Sequence, residues 1–149
     1  MQAKYKHTNI IAKDWRGLVE FYEDVFACKR VPPERDLKGA WLSQGTGVPD
    51  ARLRGIHLAL PGFENNSPTL EIFQYDQNEP KPAPAANREG FGHIAFEVDD
   101  VALFLEAVKK HGGAALSQIA SKEVPGVGLL TFVYATDPEG NIIELQRWG

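Results

Sequence analysis

The two halves of this chain are written on one plan, and that repeat limits the folds open to it more than any other feature. HTNIIAKDW, starting at His7, and HIAFEVDDV, starting at His93, each reach an aspartate seven positions after the histidine, Asp14 and Asp100. TLEIFQY and IIELQRW each set a glutamate, Glu71 and Glu144, among aliphatic neighbours with an aromatic residue four places on. Two copies are too few to stack as a solenoid, whose repeats each depend on neighbours for a continuous core. Duplication of one supersecondary unit is the simpler account.

The local pattern gives that unit a shape. Residues 5–12 are rich in β-branched and apolar side chains and read as a strand, with Asp14 a good helix N-cap. Trp15, Leu18, Val19, Tyr22 and Phe26 recur at helical spacing, so a helix with one apolar stripe follows. Residues 28–31 resume as a strand that Pro32-Pro33 is expected to stop. Residues 40–43 and 52–60 read as strands separated by the loop formers Gly45, Gly47 and Pro49, and residues 69–75 as another. The proline-rich run 78–87 suits neither a helix nor a central strand and reads as a linker.

The second half repeats the order. Residues 91–98 form a strand, Asp99-Asp100 an acidic cap, and Val101, Phe104, Leu105 and Val108 a helical stripe ended by Gly112-Gly113. Strands follow at 115–118, 129–135 and 141–147, the last reached through the turn at 137–141. The expected fold is therefore α+β, one domain of two β-α-β-β-β modules. Module one covers about residues 1–78, the linker about 79–90, and module two about 91–149.

Composition narrows the partners. A length of 149 residues suits one domain, and 43% hydrophobic with 24% charged residues is the balance of a globular chain. A formal charge of -4 is of the wrong sign for a phosphate backbone, so no nucleic-acid partner is expected. Cys28 is the single cysteine, which excludes an intrachain disulfide and suits a reducing compartment; packing as a small apolar side chain outweighs catalysis for it. No window reads as a signal core or a membrane span, so the expected location is cytoplasmic, with no membrane partner.

Strand alternation then sorts side chains by face. His93, Ala95 and Glu97 share one face and Ile94, Phe96 and Val98 the other, which should take the helix. By the same rule His7 and Asn9 lie opposite Ile10 and Ala12. Glu71 and Glu144 sit inside strand-like apolar runs, where a carboxylate is expensive to desolvate unless paired, hydrogen-bonded or bound to a cation. One explanation is structural: satisfied core histidines, and glutamates paired with Arg52, Arg54 or Arg147. The matched positions of all four residues favour a metal site of His7, Glu71, His93 and Glu144 instead. Two imidazoles and two carboxylates suit one divalent ion of zinc, nickel, cobalt, manganese or iron.

GFGHIAFEVDDV and DPEGNIIELQRW are similar to signature segments of the vicinal oxygen chelate superfamily (glyoxalase I, methylmalonyl-CoA epimerase, extradiol dioxygenases, and the fosfomycin and bleomycin resistance proteins). The doubled β-α-β-β-β pattern extends that resemblance over nearly the whole chain. It implies eight strands in a cupped, open barrel with helices outside, and first-strand and last-strand metal ligands at His7, His93, Glu71 and Glu144. It also implies a pocket built between two subunits in several members, hence a homodimer acting on a small-molecule substrate.

Within that family a glutamate at position 71 resembles the isomerase and lyase branches more than the two-histidine, one-carboxylate dioxygenases. The expected activity is a metal-dependent lyase or isomerase that stabilises an enediolate, glyoxalase I-like, with Glu144 as the proton shuttle and Glu71 as its alternative or partner. The alternatives are an acyl-CoA epimerase, a non-catalytic small-molecule binding or antibiotic resistance protein and, further off, a dioxygenase. His57 reads as a structural or ligand-supporting residue. Arg52, Arg54 and Arg88 are candidate anion clamps or plain surface charges, and Trp41, Phe73, Tyr75 and Trp148 a candidate apolar wall or plain core. The His-to-Glu interval is 64 residues in the first half and 51 in the second, so an insertion is expected between residues 32 and 54.

Overall fold

Helix formation begins in each half at the aspartate that the repeat places there. In the computed structural model, which describes residues 1–149, the Asp14 carboxylate accepts a hydrogen bond from the Gly17 amide at 3.2 Å. That of Asp100 accepts one from the Leu103 amide at 2.9 Å. Each bond satisfies an amide that a first helical turn otherwise leaves without a partner. The chain divides into two compact units, Met1–Pro80 and Lys81–Gly149.

The first unit runs β1 (His7–Ile11), α1 (Trp15–Phe26), β2 (Lys29–Lys38), α2 (Ala40–Thr46), β3 (Arg52–Ala59) and β4 (Thr69–Tyr75). Its sheet has the order β1-β4-β3-β2, with β1 parallel to β4 and the other pairs antiparallel. The α1 stripe expected from sequence is buried throughout: Trp15, Leu18, Val19, Tyr22 and Phe26 all face inward, joined by Phe21 and Val25. Ile56 and Leu58 of β3 and Leu70 and Ile72 of β4 are likewise buried, each such aliphatic side chain contributing about 1.5–3 kcal/mol. Gly55 lets β3 and β4 approach, because a β-carbon there would collide with the Ile72 carbonyl oxygen.

Two expectations for this unit are corrected. Pro32-Pro33 does not end β2, which continues to Lys38 past an irregularity between Val31 and Arg35. β2 is the edge strand, and residues 32–34 lie in the irregularity where no residue of β3 pairs with them, so the two prolines remove no ladder bond. Residues 40–43, expected as a strand, open the helix α2 instead. Gly39 and Gly47, both at positive φ, bracket this helix. It buries Leu42 against Ala51 and Leu53, with Leu37, Val48, Phe73 and Tyr75 packed alongside. The insertion expected between residues 32 and 54 thus contains the long end of β2 and this helix.

The second unit runs β5 (Ile94–Glu97), α3 (Val101–Lys110), β6 (Ala114–Ala115), β7 (Ala120–Val124), β8 (Gly128–Thr136) and β9 (Ile142–Trp148). Its sheet is ordered β5-β9-β8-β6, with β7 also pairing β8. Again the first and last strands pair in parallel, so the alpha-plus-beta repeat expected from sequence is present. The strand expected at 115–118 is only the two-residue β6, and β7 adds a pairing along the same side of β8. Val101, Leu105 and Val108 of α3 are buried, as are Val133, Ala135, Ile143 and Leu145 of the sheet.

β9 is entered through a turn built around a buried acid. Asp137, 2% exposed, accepts hydrogen bonds from the amides of Glu139 and Asn141 at 2.9 Å and from the Asn141 side chain at 2.6 Å. No helix or strand occurs between Tyr75 and Ile94. No helix is long and apolar enough to cross a membrane.

Candidate functional site

In each unit the longest helix, α1 or α3, covers one face of the sheet, and strand alternation puts the chemistry on the other, which in the first unit α2 also covers at its far end. The direct register partners of Glu71 are Asn9 on β1 and His57 on β3; residues opposite one another in a ladder project to the same side. His7, Thr69, Glu71, Phe73 and His57 therefore share a face, while Ile10, Leu70, Ile72 and Leu58 take the side of α1. In the second unit Glu144 lies opposite Ala95 on β5 and Tyr134 on β8. The parity that assigned His93 away from Ile94 and Phe96 gives it the same face as Glu144.

On these faces each histidine meets its glutamate. His7 Nε2 stands 3.2 Å from Glu71 Oε2, and His93 Nε2 stands 2.8 Å from Glu144 Oε2. The carboxylates are sheltered, with side-chain exposures of 13% for Glu71 and 14% for Glu144, while His7 and His93 remain open at 40% and 33%. A third histidine joins the first pair: His57 Nε2 lies 2.9 Å from Glu71 Oε1, and its Nδ1 lies 3.0 Å from the Thr69 hydroxyl. Both oxygens of Glu71 are therefore engaged. Glu144 Oε1 makes no such contact; beside it the Tyr134 ring packs on that of His93 at 5.0 Å between centroids.

Burial pushes the His57 imidazole below its usual pKa against the pull of the Glu71 carboxylate, and Arg35, His7 and Lys6 push the same way as burial. The ring is thus neutral near pH 7, and its contact with Glu71 is a hydrogen bond rather than an ion pair. With Nε2–H donating to Glu71, Nδ1 is free to accept from the Thr69 hydroxyl.

The donor chemistry fits a divalent ion. Ligand bonds of about 2.0–2.2 Å place neighbouring nitrogen and oxygen donors roughly 3 Å apart around a common ion, close to the separations within the two pairs. Unaided, the side chains use the same spacing for hydrogen bonds, and no group of three or more His, Cys, Asp or Glu side chains is arranged to hold a metal ion. The structure thus brings together His7 with Glu71 and His93 with Glu144, each pair within its own unit.

Two of the arginines weighed as structural partners of the glutamates, Arg52 and Arg54, and the candidate anion clamp Arg88 are engaged elsewhere. Arg52 pairs with Asp36 at 2.9 Å, Arg54 pairs with Asp76, and Arg88 donates to the Ala83 carbonyl at 3.1 Å. Of the candidate aromatic wall, Phe73 packs edge-on to His57 at 5.8 Å and joins Tyr75 under α2. Trp41 is 61% exposed and belongs to neither. Tyr134 escaped sequence reasoning. The available signal was its alternation with the buried Val133 and Ala135, which puts it on the glutamate face, but its register against Glu144 is not written in either strand. Cys28 is buried, and desolvation with the nearby Glu23 carboxylate pushes its thiol up to about 12, the behaviour of a packing cysteine.

Comparison with known proteins follows the same outline. The family model for the Glyoxalase/Bleomycin resistance protein/Dioxygenase superfamily matches residues 4–145. No curated protein matches the sequence. Among solved structures, a glyoxalase family protein from Bacillus cereus matches with a TM-score of 0.82 at 14% identity, over 99% of this chain and 95% of that one. A glyoxalase I variant from Zea mays matches with a TM-score of 0.63 at 25% identity, over 96% of this chain and 44% of that one, so this chain spans less than half of the maize protein. The fosfomycin resistance protein FosX from Listeria monocytogenes, complexed with manganese(II) and sulfate, matches with a TM-score of 0.56 at 15% identity, over 100% of this chain and 95% of that one.

Proposed function

The chain belongs to the Glyoxalase/Bleomycin resistance protein/Dioxygenase superfamily, and from that membership we propose that it is a metal-dependent lyase or isomerase of the glyoxalase I type, acting on a small oxygenated substrate. The observation that carries this reading is the matched pair of sheltered glutamates, each facing a histidine Nε2 on the side of its own sheet away from α1 or α3. His7, Glu71, His93 and Glu144 would hold the ion. When bound, it supplies positive charge against the negative charge that develops on vicinal substrate oxygens as a proton leaves the adjacent carbon.

The two carboxylates are suited to different work. Glu71 has both oxygens engaged, by His7 and His57, and suits a fixed ligand. Glu144 has one oxygen on His93 and the other uncommitted, which suits a base that takes the substrate proton and returns it to the neighbouring carbon. The same reading has the protein working in the cytoplasm as a homodimer, measurable as twice the chain mass in sedimentation.

The test is elemental analysis of protein purified without chelators, followed by assay of hemithioacetal and acyl-CoA substrates before and after metal removal and restoration. The proposal expects a stoichiometric first-row metal and turnover of hemithioacetal that disappears with the ion and returns with it. Failure to bind any first-row divalent ion would overturn it.

A further inference from the structure

We propose that His57, outside the four-residue ligand set, is a positioning residue that locks the Glu71 carboxylate in place; this rests on the metal-binding reading of that glutamate. His57 touches three successive same-face side chains of β4. Its Nδ1 meets the Thr69 hydroxyl at 3.0 Å, its Nε2 meets Glu71 Oε1 at 2.9 Å, and its ring lies edge-on to Phe73 at 5.8 Å between centroids. Direct pairing of His57 with Glu71 across the β3–β4 ladder sets the distance, the threonine sets the ring orientation, and the phenylalanine closes the remaining side. Nε2 is thereby aimed at one carboxylate oxygen, leaving Oε2 to face His7.

The second unit has no such device. Tyr134 holds the matching register position opposite Glu144 but makes no hydrogen bond to it. The pseudo-repeat has kept the two histidine–glutamate pairs and differentiated the residue behind each glutamate. One carboxylate is held by a neighbour that donates a hydrogen bond to it; the other has no such donor across the ladder. Groups that orient a ligand in this way typically change metal affinity 10- to 100-fold when removed.

Two measurements on the full chain test the assignment. Manganese(II) titration followed by electron paramagnetic resonance should show His57→Ala binding about 10- to 100-fold more weakly than the parent, with His57→Gln, whose amide can still donate to Glu71, recovering part of the loss. Thr69→Val should weaken binding in the same direction while the metal-free melting temperature changes little. Parent-like affinity in a folded His57→Ala protein would overturn the proposal.

The second measurement needs no metal. Side-chain 15N spectra of the apo protein should show His57 as a single Nε2-protonated tautomer, and Thr69→Val should mix the two tautomers. A mixture already present in the parent removes the anchoring argument. A parent that binds no manganese but keeps the single tautomer instead defeats the functional reading of the site and the ligand-locking role together, while leaving the anchoring geometry intact.

Discussion

Tyr134 lies directly across the β8–β9 ladder from Glu144, and its ring packs at 5.0 Å on the histidine that faces that glutamate, His93. The tyrosine therefore sets the plane of the imidazole through its ring rather than through its hydroxyl. Aromatic pairs of this kind are worth about 0.5–1.5 kcal/mol beyond their area. Tyr134→Phe should keep manganese affinity within about twofold of the parent, whereas Tyr134→Ala should weaken it roughly two- to tenfold. Isothermal titration of the apo proteins checks both; equal losses in the two variants would assign the effect to the hydroxyl.

Glu144→Gln and Glu71→Gln should fail differently. Loss of a positioned base costs about 10²- to 10⁴-fold in rate, so Glu144→Gln should lose turnover of hemithioacetal by that order while metal affinity falls less. Glu71→Gln should lose metal affinity first, with turnover recovering at saturating ion. Parallel titration and steady-state kinetics separate the two, and undiminished turnover in Glu144→Gln would remove that residue from the mechanism.

Asp137 is a structural acid whose loss should be felt at the start of β9. Its carboxylate holds the amides of Glu139 and Asn141 and the Asn141 side chain while almost fully buried. Asp137→Ala leaves those donors unsatisfied, at about 1–3 kcal/mol, and should lower the thermal midpoint by several degrees. Urea titration gives the same comparison at constant temperature.

Cys28 supplies a pH test. Its folded thiol is pushed up from 9.0 to about 12, chiefly by burial, so the folded state keeps a proton that the unfolded state loses. Its contribution to stability is fully present below pH 9 and is lost as pH rises from there toward 12. Cys28→Ala should therefore show a shallower decline in unfolding free energy above pH 9 than the parent. Iodoacetamide should label the native protein at pH 8 far more slowly than protein in urea.

How much of this was legible beforehand depended on range. Asp14, Asp100 and the stripes of α1 and α3 are local signals, because a cap and a 3.6-residue period act within a few residues of themselves. The division of His7, Glu71, His93 and Glu144 onto the faces away from α1 and α3 was also readable, since alternation along one strand needs no knowledge of its neighbours. Residues 40–43 misled because four apolar-leaning residues cannot distinguish a short strand from a first helical turn. What decided was the burial of Leu42 against Ala51 and Leu53, residues beyond any local window. Pro32-Pro33 misled because tolerance of proline depends on whether a strand is at an edge, and β2's place in the sheet is a property of the whole unit.

By itself, then, the order of residues determined the duplicated α+β plan, where its two main helices begin, and which side chains of each strand turn away from them, all consequences of periodicity and capping along a continuous backbone. Only tertiary structure decided that His57 stands behind Glu71 and Tyr134 behind Glu144. Cross-strand register is chosen by how two distant segments pack and exchange hydrogen bonds, and that choice leaves no mark on either segment alone.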